Sequence, residues 1–107
     1  MIYDVRITQA AEGDLFDIGE YVALNDIPGK ADDLLDHLEC ACEQLTTSPA
    51  KGHMPPELQR IGVDGYREIH FKPYRIIYET AGRTVYVHAV LDGRRDLQSM
   101  LERRLLR

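Results

Sequence analysis

The sequence predicts an α+β fold of order β-α-α-β-β-β-α, a small antiparallel sheet packed against a helical hairpin with a C-terminal helix after it. Three observations carry this prediction. Apolar residues recur at helical spacing through the first half of the chain. Three strand-like runs, joined by very short links, fill the second half. After Asp92-Gly93 a last apolar stripe of helical spacing closes the chain.

Ile2–Thr8 alternates, with Tyr3, Val5 and Ile7 on one face and Asp4 and Arg6 on the other. That is the period of a half-buried strand, and it begins at Met1 without the apolar core of a signal peptide. Thr8 is placed to N-cap a helix from about Gln9 to Leu24. Ala11, Leu15, Ile18 and Val22 form its apolar stripe. Asn25-Asp26-Ile27-Pro28-Gly29 breaks it. A second helix starts near Pro28 or Lys30, with Ala31, Leu34, Leu35, Leu38, Ala41, Cys42 and Leu45 as its stripe. It ends before Ser48-Pro49, because a residue preceding proline is pushed out of the helical region. The short link makes the two helices an antiparallel hairpin.

Residues 49–65 are rich in proline and glycine and read as a loop, with a short strand expected at Glu57–Ile61. Strands follow at Tyr66–Phe71, Tyr74–Thr80 and Thr84–Leu91. Lys72-Pro73 and Ala81-Gly82-Arg83 are their links, so these neighbours should be antiparallel. The first strand must pair with a later one, in either direction, at or near an edge. The last helix runs from about Arg94 to Leu106, with Leu97, Met100, Leu101 and Leu105 inward. Arg94, Arg95, Arg103, Arg104 and Arg107 surround them.

The chain has 107 residues, 44% of them hydrophobic, with 8 Gly and 5 Pro. This excludes a disordered or fibrous chain and fits one domain, 1–107, whose core needs no disulfide staples. Cys40 and Cys42 are two apart and face different sides of a helix, so they neither bridge nor share a metal. With no apolar run of membrane-spanning length, a cytoplasmic protein is expected. The net charge of -5 argues against a protein that mainly grips nucleic acid. It is unevenly spread. Residues 1–50 carry two basic and eleven acidic side chains, and residues 51–107 eleven basic and seven acidic. A charged partner meeting one side would explain this, as would solvation of two helices.

The polar residues of the strands are the candidates for chemistry. Arg67, His70, Lys72, Arg75 and His88 lie on three consecutive strands, and Arg94 and Arg95 follow them. If the far face of the sheet is open, they converge on a basic surface able to hold a phosphate or stabilise its transition state. Alternation places His88 with Tyr86 and Val90, opposite Val85, Val87 and Ala89. The structural alternative for Arg75 is an ion pair with Asp96, Glu68 or Glu79. His37 and His53 are too far in the pattern to join His70 or His88 at a metal, and no metal-ligand, nucleophile-elbow, P-loop or dinucleotide motif occurs. No metal or cofactor is expected.

Four segments, in order and spacing, are together more specific. They are Ala10-Ala11-Glu12-Gly13-Asp14-Leu15, Tyr66-Arg67-Glu68-Ile69, Tyr74-Arg75-Ile76-Ile77-Tyr78 and Leu91-Asp92-Gly93-Arg94-Arg95-Asp96-Leu97. With them the chain, from Ile2 to Leu106, resembles the RelE/ParE superfamily of toxins from bacterial type II toxin–antitoxin modules, which stabilise plasmids or inhibit growth. The resemblance implies a compact toxin neutralised by a small antitoxin in a hetero-oligomer. The RelE branch cuts messenger RNA on the ribosome. The ParE branch poisons DNA gyrase and cleaves nothing itself.

RelE-type nucleases use a lysine pair before the YRIIY strand, the arginine within it, an arginine after the last strand and a tyrosine in the last helix. By resemblance, Arg75 matches the strand arginine, and Arg94 or Arg95 the later one. Arg67 falls near the first lysine, but Glu68-Ile69 offers no second. Met100 or Leu101 stands where the tyrosine belongs. A second nuclease subgroup uses a glutamate and a histidine, roles to which Glu57 and His88 correspond. A nuclease reading therefore rests on Arg75, Arg95, His88 and Arg67. A binding reading rests on Arg67, Lys72, Arg75, Arg94 and Arg95 as the contacts to target or antitoxin. Ribosomal RNA repels a chain of net charge -5 at long range, which favours the ParE branch and gyrase. A degenerate member that only binds antitoxin is the third possibility.

Overall fold

In the computed structural model, which describes residues 2–106, the strands assemble as one four-stranded sheet in the order β1-β4-β3-β2. Met1 and Arg107, the latter expected among the arginines around the last helix, lie outside the described residues. The elements are β1 (Asp4–Ile7), α1 (Gln9–Asn25), α2 (Lys30–Glu43) with a 3-10 turn at Gln44–Thr46, α3 (Pro56–Gln59), β2 (Tyr66–Phe71), β3 (Tyr74–Ala81), β4 (Thr84–Asp92) and α4 (Leu97–Leu105). Thr8 caps α1 as expected, its Oγ1 accepting from the Ala11 N–H at 3.2 Å.

The β2–β3–β4 meander is antiparallel, and β1 pairs with β4 in parallel at the edge. The direction of β1 follows from its connection. A helical hairpin packed on one face returns the chain to the sheet only after a long crossover, which permits a parallel partner.

The hairpin face is closed by Ala11, Leu38, Cys42 and Leu45 against Ile69, Ile76, Tyr78, Val85, Val87 and Val90. The far face is not open. Leu58 of α3 and Leu97 and Leu101 of α4 cover Ile77, Ala89 and Leu91. The run Ile76-Ile77-Tyr78, buried throughout, belongs to a strand covered on both faces.

Three boundaries differ from expectation. Residues 56–59 form a helical turn and not a strand, because Pro56 at a first helical position has its φ set for helix and no N–H to lose. The last helix begins at Leu97, since Asp96 is its N-cap and accepts from the Ser99 N–H at 3.4 Å, leaving Arg94 and Arg95 in a turn. In β4, Ile77 pairs with Ala89 but Tyr78 pairs with Val87, so His88 is the extra residue of a bulge. The bulge moves Val90 to the face of Val85 and Val87, against the simple alternation.

Candidate functional site

Arg75 makes four hydrogen bonds to carboxylate oxygens. It sits opposite His70 and Leu91 on the far face of the sheet. The α3 turn brings Glu57 over it, and the guanidinium NH1 and NH2 each donate to one Glu57 oxygen at 2.7 Å. Its other edge meets Glu68, with Nε donating to Oε1 and NH2 to Oε2 at 2.7 Å. Arg75 and Glu57 are each 13% exposed, and Glu68 only 1%. Such planar two-pronged pairs are the strong class of ionic hydrogen bond. The hydrogen bonds from Arg75 hold the Glu57 carboxyl below its ordinary range, and donating to Glu57 first, then to Glu68, raises the guanidinium.

The other expected residues do not converge with Arg75 on one basic surface. His88 donates from Nε2 to Glu79 at 2.7 Å, with the Tyr66 ring edge-on to it. Arg67 lies on the hairpin face, paired across strands with Tyr78, and donates to the Gly52 carbonyl at 2.7 Å. Arg94 folds back on Asp92 at 2.7 Å, and this hydrogen bond lowers the Asp92 carboxyl. The expected basic face fails for two physical reasons. Helices α3 and α4 cover the far face, and neighbouring carboxylates neutralise Arg75 and Arg94. Of the residues matched to the nuclease tyrosine, Leu101 is fully buried in the far-face core and Met100 packs against it.

Three of the expected cations do meet at one end of the sheet. The Gly93 N–H donates to the Pro73 carbonyl at 2.7 Å, setting the Lys72-Pro73 turn beside the turn of Arg94 and Arg95. A Cβ on Gly93 would lie 3.0 Å from that carbonyl and 3.1 Å from the Arg75 side chain, so the contact selects glycine. Lys72, Arg94 and Arg95 are exposed, and among the described residues Lys72 and Arg95 form no ion pair. Between these turns and the helical hairpin runs a groove of about 500 Å³. The rings of Tyr21, Phe71 and Tyr74 line it, with Lys30, Lys72 and Arg94 and the carboxylates of Asp26 and Asp33 among them. Exposed Tyr21, Leu24 and Ile27 continue it along the end of α1, and Phe16 adds a further exposed ring on that helix. Aromatic rings flanked by charges of both signs suit a protein partner's apolar side chains and polar rim.

Sequence reasoning missed three arrangements. Glu57 reads in the sequence only as a counterpart of the nuclease glutamate, and its separation of 18 residues from Arg75 hides the pair. Asp14 and Arg104 form a fork, with NH2 to Oδ1 at 2.9 Å and NH1 to Oδ2 at 3.0 Å. His53 and His70, expected to lie apart, both approach Glu68, at 3.3 and 2.8 Å. An isolated antiparallel bridge between His53 and Glu68 draws that loop against β2. No local pattern announces such a bridge.

The sequence matches the family of the ParE toxin of the type II toxin–antitoxin system parDE over residues 5–97. None of the curated protein sequences compared with it matches. Among solved structures, a chain of the chromosomal ParDE toxin–antitoxin system from P. aeruginosa superposes with a TM-score of 0.70 at 18% identity, covering 83% of this chain and 94% of that one. A chain of the RelBE2 toxin–antitoxin complex from Mycobacterium tuberculosis gives a TM-score of 0.59 at 23% identity, covering 86% of this chain and 92% of that one. These likenesses reproduce the α+β fold described above, and the family match spans both the helical hairpin and the meander. The chain belongs to the ParE branch of the RelE/ParE superfamily, the toxins of type II toxin–antitoxin systems.

Proposed function

We propose that this toxin acts by binding DNA gyrase and carries out no chemistry of its own, and that a cognate antitoxin holds it inactive in a hetero-oligomer. The observation that carries this reading is the closure of Arg75. A nuclease needs the strand arginine free to meet a phosphate as charge develops. Here both edges of the guanidinium are taken by Glu57 and Glu68, and little of it reaches solvent. His88 is held by Glu79, and aliphatic side chains occupy the position of the nuclease tyrosine.

The groove at the end of the sheet supports a protein partner. Its rings, with Lys72, Arg94 and Arg95 standing among Asp26, Asp33 and Asp17, form a patch of apolar surface and mixed charge fit for an amphipathic protein segment. Both superposed structures come from toxin–antitoxin systems, which supports the same partner. Among the described residues no helix is long and apolar enough to cross a membrane. The reading takes the toxin as a single domain, 1–107, that meets both partners in the cytoplasm.

The test is induction of the chain alone in a bacterium, alongside a supercoiling assay with purified gyrase. Loss of supercoiling with intact transcripts is expected. Cleavage of messenger RNA on ribosomes with gyrase unaffected would place the activity in the RelE-like class. No growth defect and no gyrase effect, with antitoxin binding retained, would identify a degenerate member.

A further inference from the structure

We infer that His53, Glu68 and His70 form a divalent transition-metal site of the zinc type at the exposed edge of β2. The donor atoms are two imidazole nitrogens and one carboxylate oxygen, all within 4.8 Å of one another. Nε2 of His53 is 3.3 Å from Glu68 Oε2, and Nε2 of His70 is 2.8 Å from Oε1. Ligands held about 2.0–2.2 Å from a tetrahedral zinc ion stand roughly 3.3 Å apart, so an ion fits here with small side-chain shifts. Two histidines and one glutamate are a known zinc donor set that leaves a coordination position open.

The backbone builds this set before any ion arrives. Glu68 and His70 are alternate residues of one strand and share a face. His53 is locked opposite Glu68 by a pair of hydrogen bonds, from the His53 N–H at 3.1 Å and the Glu68 N–H at 2.7 Å. The two rings meet edge to face with centroids 5.2 Å apart. Glu68 is buried, while the His53 and His70 side chains are 61% and 42% exposed, so the open side of the site faces solvent.

Charge also favours a cation there. Arg75 carries one positive charge between two carboxylates, Glu57 and Glu68. The three groups together keep one uncompensated negative charge beside the two imidazoles. Arg75 takes one lone pair of each Glu68 oxygen, and the imidazoles face the remaining ones. It thereby holds the ligand carboxylate in place, as groups behind metal ligands commonly do. On binding, each imidazole offers the Nε2 lone pair and carries its ring proton on Nδ1, so the His70–Glu68 hydrogen bond is given up and a proton on Nε2 passes to Nδ1 or to solvent.

The experiment titrates zinc chloride into the full chain, freed of metal by a chelator, against a chromophoric zinc indicator. The double variant His53→Ala/His70→Ala and the control His37→Ala/Cys40→Ser are titrated alongside. Both ligand rings are exposed, so their loss leaves the core intact, and circular dichroism verifies it. One equivalent of zinc is expected to bind the native chain and the control. The double variant should lose more than the roughly 10–100-fold in affinity that removal of a supporting group costs. Zinc-induced shifts of the His53 and His70 ring protons in NMR spectra are expected as well. Equal affinity in the native chain and the double variant, or no stoichiometric binding, overturns the inference. Neither result bears on gyrase or antitoxin, so this site stands or falls apart from the function proposed above.

Discussion

Arg75 and Glu57 form a two-pronged ion pair, both bonds 2.7 Å long, that fastens the α3 turn onto the far face of the sheet. The pair explains why a short helix of four residues holds its place over β3. It also changes the meaning of the strand arginine. In this chain that side chain is a structural bolt between two carboxylates, and its positive charge is spent inside the molecule.

Replacing Arg75 with alanine is therefore expected to damage the fold before anything else. The substitution leaves Glu57 and Glu68 facing each other, one of them fully buried. Breaking a buried pair by removing one partner costs about 3–5 kcal/mol. Arg75→Lys should rescue little, because an ammonium cannot serve two forks. Urea denaturation checks this. A stability within about 1 kcal/mol of the native value would show that the pair contributes no more than an exposed one.

A second prediction concerns Gly52. A Cβ there would lie 2.4 Å from the Glu68 carbonyl oxygen and 2.8 Å from the Tyr78 hydroxyl. The Gly52 N–H donates to that hydroxyl at 3.0 Å, and the hydroxyl donates to the Pro49 carbonyl at 2.7 Å. Gly52→Ala must push the loop off β2, and overpacking of this kind costs about 1–3 kcal/mol. The same displacement carries His53 away from Glu68, so a thermal melt should fall while zinc affinity falls with it.

Asp14 and Arg104 give a third. Beyond the end of β1, the edge of β4 beside the His88 bulge lacks a strand partner. Asp14 accepts from the Val90 N–H at 3.0 Å, and Arg104 donates to the His88 carbonyl at 2.9 Å. One fork thus caps the strand edge and ties α1 to α4. A double-mutant cycle of Asp14→Ala and Arg104→Ala should show a coupling of about 1–3 kcal/mol. Additive effects would mean that each residue serves the edge alone.

These three contacts mark where the sequence stops being legible. The helical stripes and the strand boundaries are local patterns, and the stripe of Leu97, Met100, Leu101 and Leu105 faces inward as its spacing predicts. What covers the far face is not local. Val85-Tyr86-Val87-His88-Ala89-Val90-Leu91 alternates on paper, and only the pairing of β3 with β4 reveals that His88 is inserted. Glu57 lies in the short α3 turn, whose place over β3 depends on the Arg75 it meets. The basic half of the chain reads as a free surface until Glu57 and Glu68 are seen to take up Arg75, and Asp14 to take up Arg104.

The thiols supply a fourth prediction. Burial first, then the charges of Glu39 and Glu43, push the Cys42 thiol up from 9.0 to about 11, whereas Cys40 is exposed. A disulfide reagent at mildly alkaline pH should therefore label Cys40 quickly and Cys42 only on unfolding. The linkage has a definite sign. The unfolded chain loses this proton from about pH 9, and the folded one holds it to about 11. Stability from this group is full below pH 9 and falls through that window. Cys42→Ala should flatten the decline measured by denaturation at rising pH.

The last prediction separates the binding surface from the fold. Tyr21 and Leu24 are 68% and 80% exposed on α1, beside the groove of Phe71, Tyr74, Lys72 and Arg94. Side chains this exposed contribute little to stability, and their truncation should change it by less than about 0.5 kcal/mol. An aromatic anchor in an interface contributes far more, with losses of about 2 kcal/mol or greater on truncation to alanine. Tyr21→Ala and Leu24→Ala are expected to weaken antitoxin binding in a titration of the purified proteins while leaving the melting curve in place. Lys72→Glu should weaken it further at low salt than at high salt, because an exposed charge acts through a screened field. Unchanged affinity in all three variants would move the antitoxin to another face of the toxin.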